Sequence, residues 1–180
     1  MKIMNFKLRI MNYEKKSLKG DLGFTLIETL VSLVILSVTI VPILSLSSNI
    51  ARVNASLQDN LIASGLAQEG VEVIRAIRDT NWFNGNAFNL NLGSDTVNVS
   101  TIYQVEWNSI PPLTTTASLP LNLNNGRYTY TGGTPTKFSR TVTITKINAG
   151  EIRIISTVTW LGHGGVNKNI DAELHLFNWK

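Results

Sequence analysis

The chain has 180 residues, no cysteine and a formal net charge of +4. That length suits one domain with extensions, and the missing thiols exclude a disulfide framework, a thiolate metal site and a cysteine nucleophile. The positive balance does not amount to a phosphate-binding footprint. Residues 1–23 hold six basic and two acidic side chains, whereas the rest of the chain holds ten of each.

Residues 1–23 form a basic leader with no apolar run long enough to anchor it. Residues 24–46 then contain one charge, Glu28, and one proline, Pro42, among Leu, Ile, Val, Ser and Thr after Phe24. About 20 apolar residues in a helix cross the hydrocarbon core of a bilayer. With the leader's lysines on one flank, the positive-inside rule puts the N-terminus in the cytoplasm and everything after about residue 46 outside it. A conventional secretory signal fits less well, even with Ser45-Leu46-Ser47 posing as a cleavage site: the run is too long, and Glu28 interrupts it.

Glu28 is the anomaly. An acidic side chain at a membrane helix centre costs roughly 2.5–3.5 kcal/mol, and less near an end. One reading is a carboxylate that snorkels to the headgroups and favours the positive end of the helix dipole. The other is a carboxylate kept in lipid because a cationic partner pairs with it.

Gly23-Phe24-Thr25-Leu26-Ile27-Glu28 resembles the processing site of type IV pilins and type II secretion pseudopilins. The resemblance implies a cut between Gly23 and Phe24 by a membrane-embedded prepilin peptidase. It also implies N-methylation of Phe24, and a role for Glu28 in assembly opposite a neighbouring subunit's N-terminus. Other pilin subunits, an inner-membrane assembly platform and the lipid bilayer are the implied partners. The implied localisation is the inner membrane, single-pass, and then an extracytoplasmic filament.

Residues 47–79 continue the helix as an amphipathic half. Ile62, Ala63, Leu66, Ala67, Gly70, Val73, Ile74 and Ile77 share one stripe, with Gln68, Glu69, Glu72, Arg75 and Asp79 opposite. Glu72–Arg75 and Arg75–Asp79 are spaced for weak surface pairs. A helix over 24–79 would be roughly 80 Å long, so its N-terminal half is expected to protrude. Pro42 removes a hydrogen bond to the carbonyl near Val38, which Ser37 or Thr39 is expected to help satisfy. It is read either as a tolerated kink or as a helix hinge.

Residues 80–127 read as loop-rich, with turn chemistry from Asn and Gly, a strand through Val97, Val99, Ile102 and Val105, and an irregular excursion from Ile110 to Gly126. In the resembling family this is the variable region. Residues 128–180 read as an antiparallel sheet. Val142 and Ile144 mark one strand, Ile152, Ile154, Val158 and Trp160 the next, and Ile170, Ala172, Leu174 and Leu176 the last. Turns fall at Asn148-Ala149-Gly150 and Gly162-His163-Gly164-Gly165. The expected fold is therefore α+β and pilin-like: a long N-terminal helix, transmembrane in its first half, laying its second half on a C-terminal antiparallel sheet.

No catalytic site, cofactor or metal site is predicted. His163 and His175 are read as solvated, and the carboxylates form no spaced pair or calcium loop. Trp82, Trp107, Trp160 and Trp179 are read as core anchors. The functional expectation is a structural prepilin subunit of a pilus or pseudopilus. The absent cysteines, Gln68-Glu69-Gly70-Val71-Glu72 and Leu176-Phe177-Asn178-Trp179 resemble minor pilins of the PilV or type II secretion I-subunit kind. The alternative is a non-polymerising single-pass anchor that carries an extracytoplasmic binding or adhesive domain.

Overall fold

The apolar run and the amphipathic stripe form one helix, α1 (Leu26–Phe83), assigned without a break through Pro42. A computed structural model describes residues 23–109, 112–115 and 117–179; the leader, residues 1–22, lies outside them. Two compact units divide the chain, the first ending at Leu46 and the second beginning at Ser47. In the first, no described residue is buried, and the apolar side chains from Phe24 to Leu46 all face outward. Such a contiguous apolar surface requires lipid or protein around it.

The second unit contains the C-terminal part of α1 and seven strands. These are β1 (Ser100–Gln104), β2 (Leu113–Thr114), β3 (Pro120–Asn124), β4 (Arg127–Thr129), β5 (Thr134–Asn148), β6 (Glu151–Leu161) and β7 (Asn167–Phe177). All pairings are antiparallel. The 15-residue β5 is the spine. One edge pairs with β6, which in turn pairs with β7; the other edge is shared by β1 and by β3 with its hairpin partner β4. The inward residues of β5 and β6 meet α1 in two adjoining apolar clusters. Val71, Ile74 and Ile77 pack with Val142, Ile144, Ile152 and Ile154, while Ala63, Leu66 and Ala67 pack with Leu121, Phe138, Val158 and Trp160.

The expected stripe is buried through Ala63, Leu66, Ala67, Gly70, Ile74 and Ile77, with Val71 added and Val73 only half-buried. At Gly70 the helix backbone rests on the sheet. A Cβ there would overlap Ser156 Oγ and lie 3.1 Å from Val142 Cγ2. Gly70→Ala is therefore expected to cost about 1–3 kcal/mol of stability by overpacking. Ser156→Ala should recover part of it, because Ser156 Oγ is itself buried without a hydrogen-bond partner. Urea unfolding of the two single variants and the double variant measures both effects.

The structure corrects several expectations. The excursion from Ile110 to Gly126 contains β3, whose Leu121 is fully buried, because the first half of β5 needs a partner on its free edge. Of the expected strand, Ile102 lies in β1 and Val105 is buried just after it, whereas Val97 and Val99 are exposed outside β1 and Tyr103 is the buried residue within it. Glu72 pairs with Arg75 as expected, at 2.7 Å, but Asp79 pairs with its neighbour Arg78 at 2.6 Å. Trp160 is a core anchor; Trp107 and Trp179 are exposed, the former under Arg127 and the latter edge-on to Trp82. Ser37 and Thr39 donate to Val34 O and to Leu36 O and Ile35 O, one turn before the carbonyl of Val38.

Besides the surface contacts Lys137–Asp59 at 2.6 Å and Lys168–Ser56 at 2.9 Å, a buried polar tie joins helix and sheet. Arg140 is fully buried on β5 and donates to Leu66 O of α1 at 2.9 Å and to Val105 O, with Glu69 Oε1 at 3.4 Å. Its own carbonyl accepts from Tyr130 Oη at 2.9 Å. Burial holds the Tyr130 phenol above the ordinary tyrosine range, partly opposed by the nearby Arg140 guanidinium.

Candidate functional site

The head of α1 is built by a reciprocal cap. Thr25 precedes the first helical residue, and its Oγ1 accepts from Glu28 N at 3.3 Å. Glu28 Oε2 in return accepts from Thr25 N at 3.3 Å and from Thr25 Oγ1 at 3.4 Å. This is the Thr-x-x-Glu capping box, which satisfies amide donors that helix geometry leaves unpaired. Glu28 thus has a partner within its own chain, and its carboxylate lies at the end of the helix whose dipole favours negative charge. Both bonds to the carboxylate are long, so much of its acceptor capacity is left for other donors.

Gly23 and Phe24 lie just before this cap, fully accessible, with Phe24 77% exposed. Among the described residues, nothing packs over the Gly23–Phe24 bond. Pro42 sits inside the helix. The hydroxyls between them turn inward to the helix backbone. Thr29 bonds Leu26 O, Ser32 bonds Glu28 O, and Ser37 and Thr39 bond the carbonyls given above. Polar side chains that satisfy themselves locally are compatible with a lipid surround. Glu28 is the only charged residue in this stretch.

Elsewhere the chemistry is sparse. Among the described residues, no group of three His, Asp or Glu side chains is placed to hold a metal ion. His175 is more engaged than a solvated histidine: Nδ1 lies 2.7 Å from Glu151 Oε1 and Nε2 lies 3.2 Å from Glu173 Oε1. The hydrogen bond to Glu151, then that to Glu173, raises its pKa above the ordinary 6.5. A raised folded value means that the contribution to stability is complete below the ordinary pKa and is lost as pH rises through the folded value. An NMR titration is expected to place the His175 midpoint above the ordinary value, and Glu151→Gln is expected to lower it.

Residues 18–44 match the family model described as the prokaryotic N-terminal methylation motif. The chain carries a prepilin signature. The matched stretch takes in Gly23, Phe24, Glu28 and Pro42, and with them the capping box and most of the apolar run. No curated protein and no solved structure matches the chain. The motif marks type IV pilin-like and pseudopilin precursors, a structural family, and implies a prepilin peptidase substrate that assembles with other pilin-type subunits. Among the described residues one helix is long and apolar enough to cross a membrane, and with the prepilin signature it suggests a membrane-anchored precursor.

Thr25 is the residue that the sequence reading passed over. Its signal was present, since Thr25-x-x-Glu28 ahead of an apolar run is the sequence form of a capping box.

Proposed function

We propose that this protein is a structural subunit of a type IV pilus or related pseudopilus, and a minor one. It is held in the inner membrane with its N-terminus cytoplasmic, cut after Gly23 and N-methylated at Phe24. One observation carries the reading: a methylation motif whose Gly-Phe junction is open and is followed one turn later by a lone carboxylate on an otherwise apolar, uncovered helix.

The mechanism follows from lipid physics. Apolar helices gain little from one another in a bilayer beyond van der Waals packing, so a buried carboxylate gains most from a cationic or hydrogen-bonding partner. The amine that cleavage creates at Phe24 of an adjacent subunit supplies one and sets axial register. The exposed Leu26, Ile27, Leu30, Val31, Leu33, Val34 and Ile35 then pack as a filament core. Pro42 acts as the hinge, since the helix lacks one ladder bond there.

Intact mass of the protein from membranes tests maturation. Loss of residues 1–23 with gain of one methyl group is expected when prepilin peptidase is active, and the full-length mass when it is not. An unmodified N-terminus in both, or a cut near Ser47, overturns the proposal. The capping box favours a second reading, because it gives Glu28 a role in a single-pass anchor that never assembles.

A further inference from the structure

The sheet has one long open edge. Its other outer strands, β2 and β4, are two and three residues long, whereas β7 is an 11-residue strand. β7 pairs with β6 on one side, and no other strand among the described residues pairs with it. An edge of that length presents a row of free N–H and C=O groups that can template another strand.

The inner side of that edge is unfinished too. Inward positions on β6 are buried throughout, from Ile152 to Trp160, whereas on β7 Ile170, Ala172 and Leu174 are only half-covered. α1 lies over β5 and β6, and between it and β7 runs a groove of about 480 Å³. Ala67 and Val71 from the helix and Ile170, Ala172 and Leu174 from the strand make its floor apolar. A groove bounded by a helix on one side and an open strand on the other is the arrangement in which extended peptides add to a sheet.

The charges select the occupant. Glu72 and Arg75 on the helix rim neutralise each other. Asp171 and Glu173 alternate along the outer face of β7; Glu173 shares His175 Nε2 at 3.2 Å, and the two carboxylates leave that face net acidic beside the added strand's outward side chains. A second copy of β7 in the register that overlaps the whole strand is disfavoured: antiparallel pairing about its middle places Asp171 opposite Glu173 of the other copy, and like charges facing across strands are destabilising.

We infer that the β7 edge and the groove beside α1 form a docking site for an extended basic segment of a different protein. That segment adds as an antiparallel or parallel strand, with Lys or Arg on its outer face and small apolar side chains in the groove. The site is independent of Glu28 and of cleavage, so it stands or falls separately from the assembly proposal.

The test uses the full chain in detergent micelles and a short peptide of alternating Lys and Val. The peptide is expected to bind and to slow amide exchange within Asn167–Phe177. The same peptide N-methylated along one edge is expected not to bind. Reversing both charges, Asp171→Lys with Glu173→Lys, should weaken binding about tenfold and transfer preference to an alternating Glu–Val peptide. If that variant misfolds, Asp171→Asn with Glu173→Gln should still weaken binding. The inference is overturned by absence of binding, by equal binding of the N-methylated peptide, or by protection elsewhere than β7. A concentration-dependent dimer that protects β7 without peptide also overturns it, since the occupant would then be a second copy.

Discussion

Arg140→Ala is expected to lower the unfolding free energy of the second unit by about 3–5 kcal/mol, close to what breaking a buried charged network costs. The guanidinium is fully buried and bonds backbone carbonyls from two separate segments, Leu66 O on α1 and Val105 O after β1. Truncation opens a cavity against Leu66 and leaves Val105 O without the donor it has now. An unsatisfied buried acceptor costs about 1–3 kcal/mol before the lost volume is counted. Glu69 loses a partner but is about one-third exposed, so water compensates it.

Arg140→Met separates the two contributions. It restores most of the volume and none of the donors, and is expected to recover roughly half of the loss. Urea unfolding followed by tryptophan fluorescence reads both variants, because Trp160, one of the four tryptophans, lies buried in the core cluster that Phe138 of β5 also joins. If Met matches the parent, the carbonyl bonds contribute nothing and the residue serves as a spacer. Arg140 Nε has no acceptor, which makes it the weakest point of the tie.

Arg140 also shows how far the sequence could be read. Phe138, Arg140, Val142 and Ile144 are all inward by strict alternation, so parity alone places the arginine in the core. The apolar count that marks a strand's inner face passes over a charged member of the same series. What makes the charge tolerable comes from residues 74 and 35 positions away in sequence, at Leu66 and Val105. No local pattern announces such partners. The long helix and the β5–β6–β7 meander were legible because each rests on a sustained period, 3.6 or 2. β3 was not: five residues beginning with Pro120, only Leu121 buried among them, carry almost no periodic signal. Its existence follows from β5, which is longer than β1 can cover.

The candidate site divides along the same line. Glu28 stood out as a cost, one charge in an apolar run, whereas Thr25 stood out only as part of a spacing. Their reciprocal bonds change what Glu28 means, because a carboxylate with a cap to make is no longer without local purpose. Cap and dipole together contribute about 1–2 kcal/mol. That falls short of the roughly 2.5–3.5 kcal/mol for an acid at a membrane centre, though the cost is smaller near the end.

Three substitutions therefore decide what Glu28 does. Glu28→Val removes both cap acceptor and charge, and is expected to insert into membranes at least as well as the parent while filament yield falls by about tenfold or more. Glu28→Gln keeps a hydrogen-bond acceptor for Thr25 N and removes the charge; on the ion-pair reading it fails to assemble as Val does. Thr25→Ala keeps the charge and removes the hydroxyl, loosening the helix start by about 0.5–2 kcal/mol but leaving assembly largely intact. Membrane level is read by fractionation and filament yield by electron microscopy of sheared material. If Gln assembles like the parent, a neutral hydrogen bond suffices and the ion pair is wrong. If Val assembles like the parent, Glu28 serves only its own helix, and the single-pass anchor becomes the better account.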